Sequence, residues 1–289
     1  MSHLSRRQFV QRSALALTAI EMQPYLWAQG AAAANKMRLA VQLYSLRQDS
    51  QKEFPAVLEK VAKMGFAGVE FAGYFSYAGK AKELRQKLDD LNLKVAGTHI
   101  GTGTMRGDAL KQTIEFHQTI GCKYLIVPGD GDFTNSERSK TLAETFNQIA
   151  ATLKPLGMAC GYHNHTGEFK KDGDKTFWHL FAERTTKDVV LQQDCGWTAA
   201  AGYDPVQLMK EFPGRMKTTH FKPTIVNRDA TKQPILGEDS VDWAAVYAAC
   251  RDIGGTEWVI VEQETYLPGK SPAECTEMSL IGLKKIIGG

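Results

Sequence analysis

Four residues able to bind a metal each stand at the end of a short apolar run. They are His163 in MACGYHNH, Asp194 in VVLQQDCGW, His220 in MKTTHFKP and Glu262 in WVIVEQE. The gaps between them are 31, 26 and 42 residues, each near the length of one strand-plus-helix unit. Where parallel strands close into a barrel, their C-terminal ends converge on one mouth. Donors distant in sequence then meet at one point, where two imidazoles and two carboxylates suit a divalent cation such as Mn, Zn, Co, Fe or Mg. Singly, each residue has a plainer use: a strand-end His can cap a carbonyl, and Asp194 before Cys195-Gly196-Trp197 can serve a turn. Recurrence at four successive strand ends is what favours the metal. Glu264 competes with Glu262 for the last position, but Glu262 continues the run Trp258 to Val261.

The elements that must place these donors can be read from the hydrophobic pattern. Eight strand-like runs occur at 38–44, 67–72, 93–98, 123–128, 158–163, 189–194, 216–221 and 257–262. Between them lie helical patterns such as Pro55 to Met64, Ala81 to Leu91, Leu110 to Ile120, Thr141 to Leu156 and Val241 to Ile253, several stopping at a glycine. The recurrence of helix, glycine and short strand is a βα alternation, and eight repeats predict a single-domain (β/α)8 TIM barrel over residues 37–289. An open doubly wound sheet is the rival, but VQLYSLRQ at the first strand carries no glycine-rich phosphate loop. The longest irregular stretches, Gly167 to Lys175 and Pro223 to Asp239, follow strands ending in candidate ligands, where loops over a site belong.

The chain has 289 residues, 43% hydrophobic and 23% charged, with a net charge of +3, an ordinary globular composition. No basic stripe alternates with aromatics, which argues against a nucleic-acid partner. Five cysteines (122, 160, 195, 250 and 275) form no CxxC pair and define no disulfide, and three of them sit in or beside apolar runs as buried thiols. At the N-terminus, Arg6-Arg7 precedes Phe9, a weakly apolar stretch runs from Ser13 to Ile20, and alanines follow at 28 and 31–34. This resembles a twin-arginine export signal over residues 1–34, which implies a periplasmic protein folded before export. Glu21, Gln23 and Pro24 interrupt the run too soon for a membrane span.

VQLYSLR, GVEFAG, GTHIG, YHNHTGEF, QQDCGW, HFKP and VIVEQE, in that order over about residues 37 to 287, resemble the xylose isomerase-like TIM barrel superfamily, nearest its sugar phosphate isomerase/epimerase groups. The resemblance implies one divalent metal held at the ends of strands five to eight, usually by Glu, Asp, His and Glu. His163 stands where many members carry Glu, so the ligand set here is one charge less negative. It also implies that Glu70, His99 and Gln42 line a substrate pocket; a hydrogen-bonded layer beneath the pocket is the alternative for Glu70 and Gln42. Trp197, Phe221 and Trp243 can offer a face to a sugar ring or simply fill the core. His117 and His179 fall within helices as packing or surface residues.

A metal in such a site polarises the carbonyl of a keto-sugar and stabilises the enediolate left when the adjacent carbon loses a proton. Glu168, His165 and Lys222 are the candidate acid–base groups; Glu168 follows His163 by five residues, and Lys222 shares a strand side with His220. The leading expectation is therefore a metal-dependent isomerase or epimerase. Export points to an unphosphorylated carbohydrate as the small-molecule partner. The alternatives are a lyase or hydrolase on 3-keto-glycosides, a non-catalytic sugar-binding protein, and an apurinic-site endonuclease, which the missing basic groove disfavours. A homo-oligomer is compatible with this composition.

Overall fold

The computed structural model describes residues 37–288, so the twin-arginine segment lies outside the described residues. Eight strands follow one another around a single sheet: β1 (Arg38–Gln42), β2 (Gly68–Phe71), β3 (Lys94–His99), β4 (Tyr124–Val127), β5 (Ala159–His163), β6 (Val190–Gln192), β7 (Thr218–Phe221) and β8 (Trp258–Val261). All are parallel, and β8 pairs back onto β1 with Arg38 opposite Trp258. The remaining gap, between β6 and β7, is closed by a bridge between Asp194 and His220, with the His220 amide donating to the Gln193 carbonyl at 2.9 Å. The sheet is thus a TIM barrel, and the open doubly wound alternative fails because its first and last strands would not pair.

Strand side chains alternate between the two faces of a sheet, and here that alternation separates two cores. Ala40, Ala96, Tyr124, Ile126, Val190, Trp258 and Ile260 pack together inside the barrel. Their chain neighbours Val41, Leu125, Leu191, Val259 and Val261 face outward into a second core with the helices. The inside is tight: a Cβ at Gly161 would lie 2.5 Å from the Val190 carbonyl oxygen and 2.9 Å from Ile126 Cδ1. Only glycine leaves the space that Ile126 and Val190 fill.

The helices run between strands in the expected places. They are α1 (Arg47–Lys52), α2 (Phe54–Met64), α3 (Ala81–Asp90), α4 (Gly107–Ile120), α5 (Arg138–Leu153), α6 (Phe177–Arg184), α7 (Cys195–Ala200), α8 (Pro205–Glu211), α9 (Trp243–Ala249) and α10 (Pro272–Ile286). Gly121 ends α4 at φ 75°, a left-handed turn that lets the chain re-enter the sheet. The sixth strand is shorter than the run 189–194 suggests. Asp194 accepts from the Trp197 amide and starts α7, so the chain leaves the strand after Gln192. The helix expected over Val241 to Ile253 begins later, because the Asp242 side chain caps it at Trp243, and its end widens into a π turn at Cys250–Gly254.

The stretch from Gly167 is less irregular than its composition suggests, holding a helical turn and a small hairpin, Lys171–Asp172 with Lys175–Thr176. All five cysteines are buried free thiols. Among the described residues, no helix is long and apolar enough to cross a membrane.

Candidate metal centre and active site

Above the apolar filling, the same inward alternation turns polar. Two positions beyond Ala40 stands Gln42; two beyond Gly68, Glu70; two beyond Gly161, His163; two beyond Val190, Gln192; and two beyond Thr218 and Ile260, His220 and Glu262. Strand register therefore stacks a ring of polar groups at the C-terminal rim. Within it, one donor atom each from His163, Asp194, His220 and Glu262 lies within 4.8 Å of the others, all four residues buried.

The side chains around this cluster fix which atoms face it. His163 Nδ1 lies 3.0 Å from Gln192 Oε1, an oxygen that can only accept, so the His163 proton sits on Nδ1 and Nε2 is left bare. That Nε2 is 3.9 Å from Asp194 Oδ2. His220 Nε2 donates to Glu70 Oε2 at 2.6 Å, turning Nδ1 toward Glu262 Oε2 at 2.9 Å. Asp194 spends Oδ1 on the Trp197 amide at 2.7 Å, while Oδ2 is buried without any partner. Asn164 holds the ends of β5 and β6 together, accepting from the Asp194 amide at 3.0 Å and donating to its carbonyl at 3.3 Å.

A buried carboxylate oxygen with no donor is costly unless something positive completes it. Two imidazole nitrogens and a second carboxylate surround it, and the two carboxylates balance the charge of a divalent cation. The four residues therefore fit a metal, with His163 through Nε2, His220 through Nδ1, Asp194 and Glu262 as the holders. Each imidazole offers its other nitrogen to an amide or carboxylate, the support expected behind metal-bound histidines.

Titration behaviour agrees with crowding of charge. Burial together with the neighbouring His220 and His99 keeps His163 well below the usual imidazole range, so it is a neutral donor. Burial alone would also lower His220, but the carboxylates of Glu70 and Glu262 outweigh it and raise the group to about 10. Burial pushes Asp194 up to about 7. For Glu262 and Glu70 burial is opposed by the adjacent imidazoles, which hold Glu262 down to about 2 and Glu70 well below the carboxylate range.

Glu70 and Gln42 meet a different arrangement from the pocket lining expected of them. Both are fully buried. Glu70 accepts from Gln42 at 2.7 Å, from Gln192 at 2.7 Å and from His220. Gln42 spends its oxygen on the Tyr44 amide at 3.1 Å. Their side chains are spent on one another, on Gln192 and on His220, which makes them a hydrogen-bonded layer under the site and not part of the cavity lining. His99, also expected in the pocket, does line it, and it donates to Gln192 at 2.7 Å.

A cavity of about 500 Å³ opens over the cluster, lined by His163, Glu262, His99, His165 and Glu264, and on its other side by Tyr44, Ala72, Ile100, Gly101, Pro128 and Gly129. His165 stands beside it, its ring 5.0 Å from that of His163, and burial lowers its pKa. Lys222 is buried, ion-paired with Glu264, and its Nζ lies 4.2 Å from the centre of the Trp197 ring. Trp197 therefore offers its face to an ammonium, in place of the sugar-ring contact expected of it. Phe221 and Trp243 stack on each other at 4.8 Å in the outer core.

Glu168 is tied to its own loop: Oε2 accepts from the His165 amide at 2.8 Å and Oε1 from the Tyr162 hydroxyl at 3.4 Å. Of the helical histidines, His117 is buried against Tyr74 and His179 pairs with Glu211 at 2.8 Å. Reading the sequence missed Gln192 and Asn164. Gln192 was findable, since it sits two residues before Asp194 and must share its side of the chain; Asn164 carries no such signal.

A closed parallel barrel with buried metal-type donors at the C-terminal ends of its last four strands defines the general class. The family follows from sequence: residues 58–280 match the model of the Xylose isomerase-like TIM barrel family, and the chain belongs to it. It is 25% identical over 247 residues to an inosose dehydratase of Geobacillus kaustophilus, covering 72% of this chain and 79% of that one. A sugar phosphate isomerase/epimerase from Parabacteroides distasonis superposes with a TM-score of 0.71 at 23% identity, over 89% of this chain and 97% of the other. A D-psicose 3-epimerase crystallised in the presence of D-fructose gives 0.64 at 16% identity, over 88% and 100%.

Proposed function

We propose that the chain is a divalent-metal-dependent enzyme that removes the proton beside the carbonyl of an unphosphorylated keto-sugar, and that loss of a substituent β to that carbonyl completes the reaction. The observation that carries the metal is the orphaned Asp194 Oδ2 facing two imidazoles and Glu262. A bound divalent ion supplies polarisation of the carbonyl and stabilisation of the negative charge that develops on its oxygen.

The chain's own groups do the proton work. His165, neutral at pH 7 because burial lowers it, accepts the carbon-bound proton. Lys222, an ammonium fixed by Glu264 and Trp197, gives a proton to the departing oxygen. Glu168 orients His165 through the backbone, both its oxygens being engaged. Glu262 and Glu264 line the cavity and Lys222 is already paired with Glu264, which disfavours a phosphorylated substrate and supports a neutral one.

One imidazole acceptor and one ammonium donor suit elimination. Return of the proton to a second face needs a second acceptor, and Glu264 is held by Lys222. Inosose dehydratases among the relatives are in keeping with elimination. Isomerisation or epimerisation is the second reading, favoured by the presence of both His165 and Glu264 on the cavity wall. A pure sugar binder would gain nothing from an unpartnered carboxylate next to two imidazoles.

The test is product analysis in heavy water with metal-loaded protein. A 3-keto-glycoside should lose its C2 proton and release the C1 substituent as an alcohol, leaving an unsaturated keto-sugar. Deuterium uptake into a free ketose without cleavage would establish the second reading. Inertness toward both would sink the proposal.

A further inference from the structure

The cavity has two unlike walls. The metal-type donors, His165 and Glu264 come from the ends of β5 to β8, while the ends of β1 to β4 contribute Tyr44, Ala72, Ile100 and Pro128. Tyr44 is the informative member. It is 44% exposed, among the most exposed large apolar side chains of the described residues, yet it is held rather than loose. The Arg47 guanidinium lies over its ring at 4.6 Å and donates to its carbonyl at 3.1 Å. Arg47 is fixed in turn by the Tyr266 hydroxyl at 3.0 Å, and the Tyr44 amide by Gln42.

An exposed aromatic ring immobilised from one side is preorganised for stacking, since little side-chain freedom remains to be lost. The neighbouring Ala72, Ile100 and Pro128 side chains have no polar atom to receive a hydroxyl, and His99 beside them has its Nε2 engaged by Gln192 and Glu70, so a second sugar there would find few side-chain partners. A volume of about 500 Å³ also falls in the roughly 300–1,000 Å³ range of pockets that enclose drug-sized ligands, more than a lone pyranose needs.

Resting on the elimination reading, we infer that the β1–β4 wall is a subsite for an apolar ring carried by the leaving group, so that the substrate class is keto-sugars bearing an aryl substituent. Tyr44 is its specificity-determining residue, stacking the aryl ring while the keto-sugar lies against the metal-type donors. Its hydrogen bonds run to Gln42 and Arg47 and to none of the four donors, so its loss should change what binds and leave the acid–base groups in place.

Binding separates this inference from the reading beneath it. Calorimetric titration of the metal-loaded protein with 4-nitrophenyl β-glucoside and with methyl β-glucoside uses stable probes that need no turnover. The aryl glucoside should bind about two- to tenfold tighter, the scale of one aromatic pair at 0.5–1.5 kcal/mol beyond buried area. Tyr44→Ala should erase that preference and Tyr44→Phe should keep it, each with an unchanged thermal transition. Equal affinities in the parent protein, a preference that survives Tyr44→Ala, or no binding of either glucoside at millimolar concentration would each overturn the subsite. An aryl preference that depends on Tyr44 in a protein inert toward keto-glycosides would retain the subsite and remove the elimination reading; cleavage of keto-glycosides without aryl preference would do the reverse.

Discussion

The two halves of the barrel mouth are built on one plan and end in different chemistry. The strands β5 to β8 carry His163, Asp194, His220 and Glu262 onto one point, while β1 to β4 carry an apolar wall interrupted by His99. One step deeper the halves match, with Gln42 and Glu70 facing Gln192 and Thr218 through a shared hydrogen-bond network. The first half supplies none of these four donors, although its His99 also lies within reach of His163 and His220. Glu70 is the clearest case of support from this half: fully buried, it reaches the cluster through its neighbours, directly at His220 and by way of Gln192 at His163. A charge can serve a metal site from behind its ligand, because an imidazole passes on the pull of the carboxylate.

If that division holds, replacing groups on the β5–β8 side should stop chemistry, and replacing groups below or opposite should tune it. The largest effect is expected at His165. His165→Ala should lower turnover of a keto-glycoside by about 10²- to 10⁴-fold, the contribution of a positioned base, with metal content unchanged. Activity within tenfold of the parent would pass the role to another group. Next comes the support layer. Glu70→Gln keeps shape but removes the charge behind His220, and should weaken metal affinity by about 10- to 100-fold in a competition titration. No change would mean that Glu70 serves packing alone.

The pH dependence of metal uptake follows from the cluster itself. His220, raised to about 10, and Asp194, raised to about 7, both hold protons in the metal-free protein at low pH. Metal must displace them, so affinity rises with pH: by about two decades per unit below pH 7, one decade per unit between 7 and 10, and flat above. Proton release on metal addition at pH 8 should approach one per chain; none released would contradict the imidazolium at His220. The smallest effect is expected at Glu168. Glu168→Gln still accepts from the His165 amide, so turnover should fall by less than about tenfold. A loss of about a hundredfold or more would make Glu168 the base after all.

The barrel was legible because a glycine-punctuated βα alternation leaves few topologies, and the four donors because strand ends in a barrel converge whatever their sequence separation. The roles of Gln42 and Glu70 were not legible. Whether a strand-end polar group faces substrate or lies beneath it depends on which partners it meets across the barrel, here Gln192 and His220, 122 and 150 residues from Glu70 in sequence. The surroundings of Glu168 were not legible either: nearness in sequence to His163 says nothing about a turn that folds its carboxylate back onto the His165 amide. The hydrogen bonds of Asn164 across β5 and β6 join positions 30 residues apart and leave no trace in either strand's pattern. The twin-arginine segment precedes the described residues, and replacing Arg6 and Arg7 by Lys should retain precursor in the cytoplasm if it directs export; mature periplasmic protein from that variant would refute it.

Metal analysis of purified parent and Asp194→Ala protein, each dialysed against Mn, Zn, Co, Fe and Mg in turn, tests the central claim. The account predicts one divalent ion per parent chain. In Asp194→Ala it predicts less than about a tenth of that, with the barrel still folded by circular dichroism, because the cluster stands above the apolar filling rather than within it. A parent chain that takes up none of these ions, or an Asp194→Ala chain that keeps its full complement, would contradict it.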